Sequence, residues 1–189
     1  MKYLNLLFIA LLFAGITSCK NDEPDPPTIN NLLFLDGENA TAPILPGGES
    51  YETAVLFSEN ATDQYTGRQL LAVDFVVYTA FGGTVYIYEG GNSSPGSIIA
   101  QQSFTANDLT GNAWNRIEFD SPAAINGLNL WIGIRFTAAG NNQLVGCDAG
   151  PNRSGGDWLF ESTDNQWQTY RQRSGESINW NIRGVVSEQ

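Results

Sequence analysis

What most constrains this chain is that no stretch after residue 30 carries a helical period. Short apolar runs alternate with polar residues instead, and Gly, Asn, Asp, Ser and Pro separate them. A period of two puts successive side chains on opposite faces of a strand, whereas an amphipathic helix repeats its apolar positions roughly every 3.6 residues. In Gln69–Tyr78, Val73, Phe75 and Val77 would share one face, with Asp74, Val76 and Tyr78 on the other. Thr84–Glu89 is rich in β-branched and aromatic residues. In Leu128–Phe136, Leu130, Ile132, Ile134 and Phe136 alternate with Trp131, Gly133 and Arg135. Leu32–Asp36, Thr53–Ser58, Ser97–Phe104, Trp114–Asp120, Trp158–Glu161, Trp167–Arg171 and Ile178–Val186 complete the expected strands. Phe81-Gly82-Gly83 reads as a hairpin, Pro122 as a turn and Val145–Gly156 as a glycine-rich loop. So many short strands without helices predict an all-β fold: an antiparallel two-sheet sandwich, jelly-roll-like and galactose-binding-like, over residues 30–189.

The order of certain motifs adds a resemblance. Tyr65-Thr66-Gly67-Arg68 is followed by Val73-Asp74-Phe75 and by Val85-Tyr86-Ile87-Tyr88-Glu89-Gly90-Gly91. Trp114-Asn115-Arg116-Ile117, Leu130-Trp131-Ile132-Gly133 and Asp148-Ala149-Gly150-Pro151 come next, then Trp167 and Asn179-Trp180-Asn181-Ile182. From Gly67 to Val186 this resembles a jelly-roll β-sandwich domain of Bacteroidetes surface proteins, of the kind appended to secreted peptidases and adhesins. These are packing and turn motifs. The resemblance implies binding or adhesion and no catalytic residue.

The N-terminus predicts export. Lys2 precedes an apolar stretch, Leu4 to Gly15, interrupted by Asn5, and Ile16-Thr17-Ser18-Cys19 ends it with small residues before the cysteine. This is the plan of a secretory signal, and it is shorter than the roughly 20 apolar residues that span a bilayer. The last four residues resemble a lipobox, which makes 1–18 the cleaved segment and Cys19 the acylated residue. Residues 19–29, Pro-rich and acidic, cannot start a core and read as an extended tether. A lysine followed by acidic residues after the lipid cysteine resembles the surface-export signal of Bacteroidetes lipoproteins. The expected location is the outer membrane, lipid-anchored and facing the exterior.

Composition narrows the chemistry. Without Lys2, 8 basic residues oppose 20 acidic ones, a net charge of −12, which argues against a nucleic-acid partner. Histidine is absent, removing the usual general base and the commonest metal ligand. No lysine follows Lys20. With Cys19 lipidated, Cys147 has no disulfide partner, and nothing obvious would activate its thiolate, so it reads as a small half-buried residue. Carboxylates such as Glu118 and Asp120 share a strand face, as an acidic β-protein will often show by chance. The residues therefore predict a non-catalytic protein without a cofactor. Structural calcium is conceivable at Asp148, Asn152 and Asp157, or at Asn60 and Asp63, although local turns use the same residue types.

Sugar binding is the sharper expectation. Aromatic faces stack on sugar C–H surfaces, and the chain has five Trp and seven Tyr. Cys147–Arg173 mixes such rings with planar polar groups, so Asp148, Asn152, Arg153, Asp157, Trp158, Trp167, Tyr170, Arg171 and Arg173 form the candidate ligand-binding set. Trp114, Trp131 and Trp180 fall within strands and are expected in the packing. The expected partner is carbohydrate or a glycan-bearing protein. An adhesive, protein-binding component of a surface complex is the second reading, with strand addition as its route. A hydrolase is the third.

Overall fold

The computed structural model describes residues 31–188. The expected signal, the expected lipid site at Cys19 and the expected tether fall outside the described residues. Twelve strands run in chain order: β1 Leu32–Phe34, β2 Ile44–Leu45, β3 Ser50–Phe57, β4 Gln69–Val77, β5 Gly83–Glu89 and β6 Ser97–Phe104, then β7 Ala113–Ala124, β8 Leu130–Thr137, β9 Asn142–Gln143, β10 Trp158–Glu161, β11 Gln166–Thr169 and β12 Ile182–Val186. They form an antiparallel four-stranded sheet, β1-β12-β4-β7, and an antiparallel six-stranded sheet, β11-β10-β3-β8-β5-β6, with β2 and β9 as a separate pair.

The expected alternation decides what lies between the sheets. Val73, Phe75 and Val77 of β4 meet Leu130, Ile132, Ile134 and Phe136 of β8 and Val55 and Phe57 of β3 in one buried cluster. Gly184 leaves room for the facing sheet, since a Cβ there would lie 2.9 Å from Ile132 Cδ1 of that sheet, as well as 2.7 Å from Leu70 Cδ1 of its own. Close packing of this kind makes each buried methylene count.

Four local expectations are corrected. Phe81-Gly82-Gly83 makes no hairpin: β4 and β5 belong to different sheets, and this segment crosses between them. Phe81 turns inward to pack on Phe75, Phe104 and Phe136, which binds the crossing to the core. Pro122 does not end its strand. It sits inside β7, beside a register shift at Leu70/Ala72, and an edge strand with a bulge tolerates the missing N–H. Trp114 is no core residue but 42% exposed on the outer face of the four-stranded sheet, under the Arg183 guanidinium. Trp167–Arg171 ends as a strand at Thr169.

The last correction reflects local capping. Helix α1 spans Glu59–Thr62 and α2 spans Tyr170–Ser174. Thr169 and Gln172 form a reciprocal capping box at the start of α2. The Asp157 carboxylate accepts from Arg171 N–H, and Gly175 stops the helix at a φ of 81°. One helical turn between polar loops leaves no hydrophobic period for a sequence reading to find.

Candidate functional site

The outward positions of the six-stranded sheet carry its chemistry. Pairing registers arrange them as three rows across the strands. The middle row is Tyr86, Gly133, Ala54 and Trp158. On one side lie Thr84, Arg135, Glu52, Phe160 and Trp167. On the other lie Tyr88, Trp131 and Leu56.

Trp131 anchors this surface. Its ring is fully buried although it faces away from the core. Trp158 and Trp167 cover it at centroid distances of 5.0 and 5.7 Å, and Trp167 also packs on Phe160 at 5.6 Å. The Trp131 indole N–H donates to Gly91 O at 3.2 Å. Tyr86, Trp158 and Trp167 are half-buried, so each is held in place yet still meets solvent. The Trp158 indole N–H has no hydrogen-bond partner.

A polar network crosses the aromatic rows. The Glu52 side chain has no solvent exposure, and its carboxylate accepts from Tyr88 O–H at 2.7 Å and from Arg135 Nε at 2.8 Å. Gly133 makes this arrangement possible, because a Cβ there would lie 2.0 Å from Glu52 Oε1. Burial pushes the Glu52 carboxyl up from the ordinary glutamate range, while the Tyr88 hydrogen bond and Arg135 pull it back. The Arg135 side chain is 48% exposed and stacks over the Tyr86 ring at 4.7 Å. The face thus presents aromatic surface beside one accessible guanidinium, as a ligand with apolar C–H faces and hydroxyl edges would require.

The nine residues of the sequence-based candidate set divide between two places. Trp158 and Trp167 stand on the face just described. The others organise the adjoining loops. The buried Asp148 carboxylate accepts from Gly37, Gly150 and Asn179 N–H and from the Asn179 side-chain amide, at 2.7–3.1 Å. Asn152 donates to Ile178 O, and Arg153 N–H donates to Asn179 Oδ1. Asp157 is buried at the start of α2. Tyr170 packs edge-on against the buried Trp180 at 5.5 Å. Arg171 is exposed, and Arg173 pairs with Glu161 at 2.8 Å. Arg171 and Arg173 both sit on α2.

Among the described residues, no three Cys, Asp or Glu side chains converge as metal ligands would. Cys147 is fully buried, and burial followed by the nearby Asp148 charge pushes its thiol up to about 12, so it stays protonated. Glu118 and Asp120 lie exposed on β7, with Asp120 accepting from the Gln102 amide.

Sequence reasoning missed Glu52, Tyr86, Tyr88, Trp131 and Arg135 as one group. Alternation signals which residues share a face of one strand. Only the pairing of β5, β8, β3 and β10 brings those faces together. Glu52 also lay one residue outside the strand expected at Thr53.

No protein-family profile and no curated protein matches this chain. Two solved structures do. One is the clostridial cysteine protease Cwp84 after propeptide cleavage, at a TM-score of 0.57 and 10% identity, covering 84% of this chain and 40% of that one. The other holds the cysteine protease and lectin-like domains of Cwp84, a surface-layer-associated protein of Clostridium difficile, at a TM-score of 0.51 and 12% identity. It covers 74% of this chain and 32% of that one. The chain thus spans well under half of each matched structure, and at such identities the similarity is one of fold.

Proposed function

We propose that this chain is a non-catalytic, surface-exposed lipoprotein that binds carbohydrate, free or carried on a partner, through the outer face of its six-stranded sheet. One observation carries this reading: Trp158 and Trp167 are half-buried over the buried Trp131, and the half-buried Tyr86 shares their face, stacked on Tyr88 and bordered by the accessible Arg135. Rigid aromatic surface beside a planar donor suits sugar rings, whose faces are apolar and whose edges are hydroxylated. The lectin-like domain named for Cwp84 supports the reading, as does the surface-layer association named for that protein. Acylation at Cys19 would hold the domain at the outer membrane, facing outward.

A glycan array probed with the purified protein, with and without calcium, tests this. Specific binding is expected without added calcium. Trp158→Ala and Trp167→Ala should each weaken it about tenfold or more, roughly 1.4 kcal/mol, with an unchanged far-ultraviolet circular dichroism spectrum. Absence of binding to any glycan would overturn the proposal and leave a protein partner as the reading to pursue.

A further inference from the structure

The same face also carries information about the size and charge of what it binds, and this step rests on the carbohydrate reading above. In the middle row, Tyr86 on β5 and Trp158 on β10 are joined by direct register through Gly133 on β8 and Ala54 on β3. Their backbone positions are therefore three strand steps apart, about 14 Å at the usual inter-strand spacing. That is several times the width of one pyranose ring. Between the two ends no residue of this row has a side chain larger than a methyl group. Both small residues are buried, and the Glu52 carboxylate lies over Gly133, so the ground between the two rings is polar there.

The charge on these rows is equally defined. Glu52 and Arg135 are their only charged members, and the two pair at 2.7 Å. The face itself is therefore balanced, while the whole chain carries −11. Such a field repels polyanions and offers no cation cluster to overcome that repulsion.

We infer that this face takes an extended, neutral polysaccharide chain lying across the strands from Tyr86 to Trp158. A single sugar ring would contact only one end, and an acidic polymer would meet net repulsion. Stacking at two separated points links two contacts through one ligand, so affinity should rise with ligand length until both ends are engaged.

The test is isothermal titration of the full protein with cello-, laminari-, xylo- and manno-oligosaccharides, from disaccharide to hexasaccharide, alongside heparin and polygalacturonate. At least one neutral series should tighten about tenfold or more between disaccharide and hexasaccharide, roughly 1.4 kcal/mol. Tyr86→Ala should remove that gain, so that hexasaccharide and disaccharide bind the variant with similar affinity, and Tyr86→Phe, which keeps the ring, should retain it. A disaccharide that binds as tightly as the hexasaccharide would overturn the inference but not the carbohydrate reading. Tighter binding of either acidic polymer would do the same. Hexasaccharide affinity unaltered in Tyr86→Ala would overturn the cross-strand placement. Failure of every sugar to bind would overturn both.

Discussion

At the scale of single residues, the most densely bonded polar group is Asp148. Burial alone would raise its pKa, but hydrogen bonds from Asn179, Gly150 and Gly37 outweigh burial and hold the carboxyl below the ordinary aspartate range. A depressed folded-state pKa means stability that is present in full above the unfolded value, about 3.9, and lost as pH falls through it toward the folded value. Asp148→Asn keeps the shape but replaces a charge-assisted acceptor with an amide that clashes with N–H donors. It should cost about 3 kcal/mol at neutral pH. Urea unfolding at a series of pH values checks both parts, because the variant should also show a shallower loss of stability below about pH 5 than the parent. A variant as stable as the parent, with the same pH slope, would mean that the four donors at Asp148 contribute nothing to the fold.

At the scale of elements, the β10–β11 hairpin and α2 work as one unit. The hairpin presents Trp158 and Trp167, and the helix that follows is fixed by the Thr169 capping box and by Asp157. Thr169→Ala removes a cap and should cost about 1 kcal/mol. Thermal denaturation would read this as a modest fall in Tm without loss of cooperativity. Trp131→Ala is a different kind of change, because its ring is the buried base under both half-buried tryptophans. It should cost about 3–5 kcal/mol, a core-sized penalty on a face that points away from the core. Denaturant titration giving a loss under about 1 kcal/mol would show that the aromatic rows are not supported from beneath in this way.

At the scale of the whole molecule, the two-sheet sandwich separates two jobs. Its interior is a conventional aliphatic and phenylalanine core, and its outer six-stranded face carries a second, smaller aromatic cluster. A rigid sheet holds side chains more firmly than a loop does, which suits a binding surface that must keep several rings in register. The proposed anchor sets where that surface works. Cys19→Ala should abolish incorporation of labelled palmitate in bacteria expressing the full chain, and should release the protein from the membrane fraction. Palmitate incorporation that persists in the variant would place the lipid elsewhere or remove it from the account.

The sequence by itself determined the all-β class, most strand positions and the inward set Val73, Phe75, Val77, Leu130, Ile132, Ile134 and Phe136, because alternation is a local property of one strand. It also placed Trp158 and Trp167 in the candidate ligand-binding set. Tertiary structure decided the rest. Whether Phe81 closes a hairpin or crosses between sheets depends on which sheet each neighbour joins. Trp131 and Trp114 both occupy outward strand positions, and only the sheet each belongs to decides their exposure. Trp131 is roofed by two tryptophans, whereas Trp114 on the four-stranded sheet is left largely open. The grouping of Glu52, Tyr86, Tyr88 and Arg135 arises from strand order and register across three strands far apart in sequence, and no local pattern encodes that pairing.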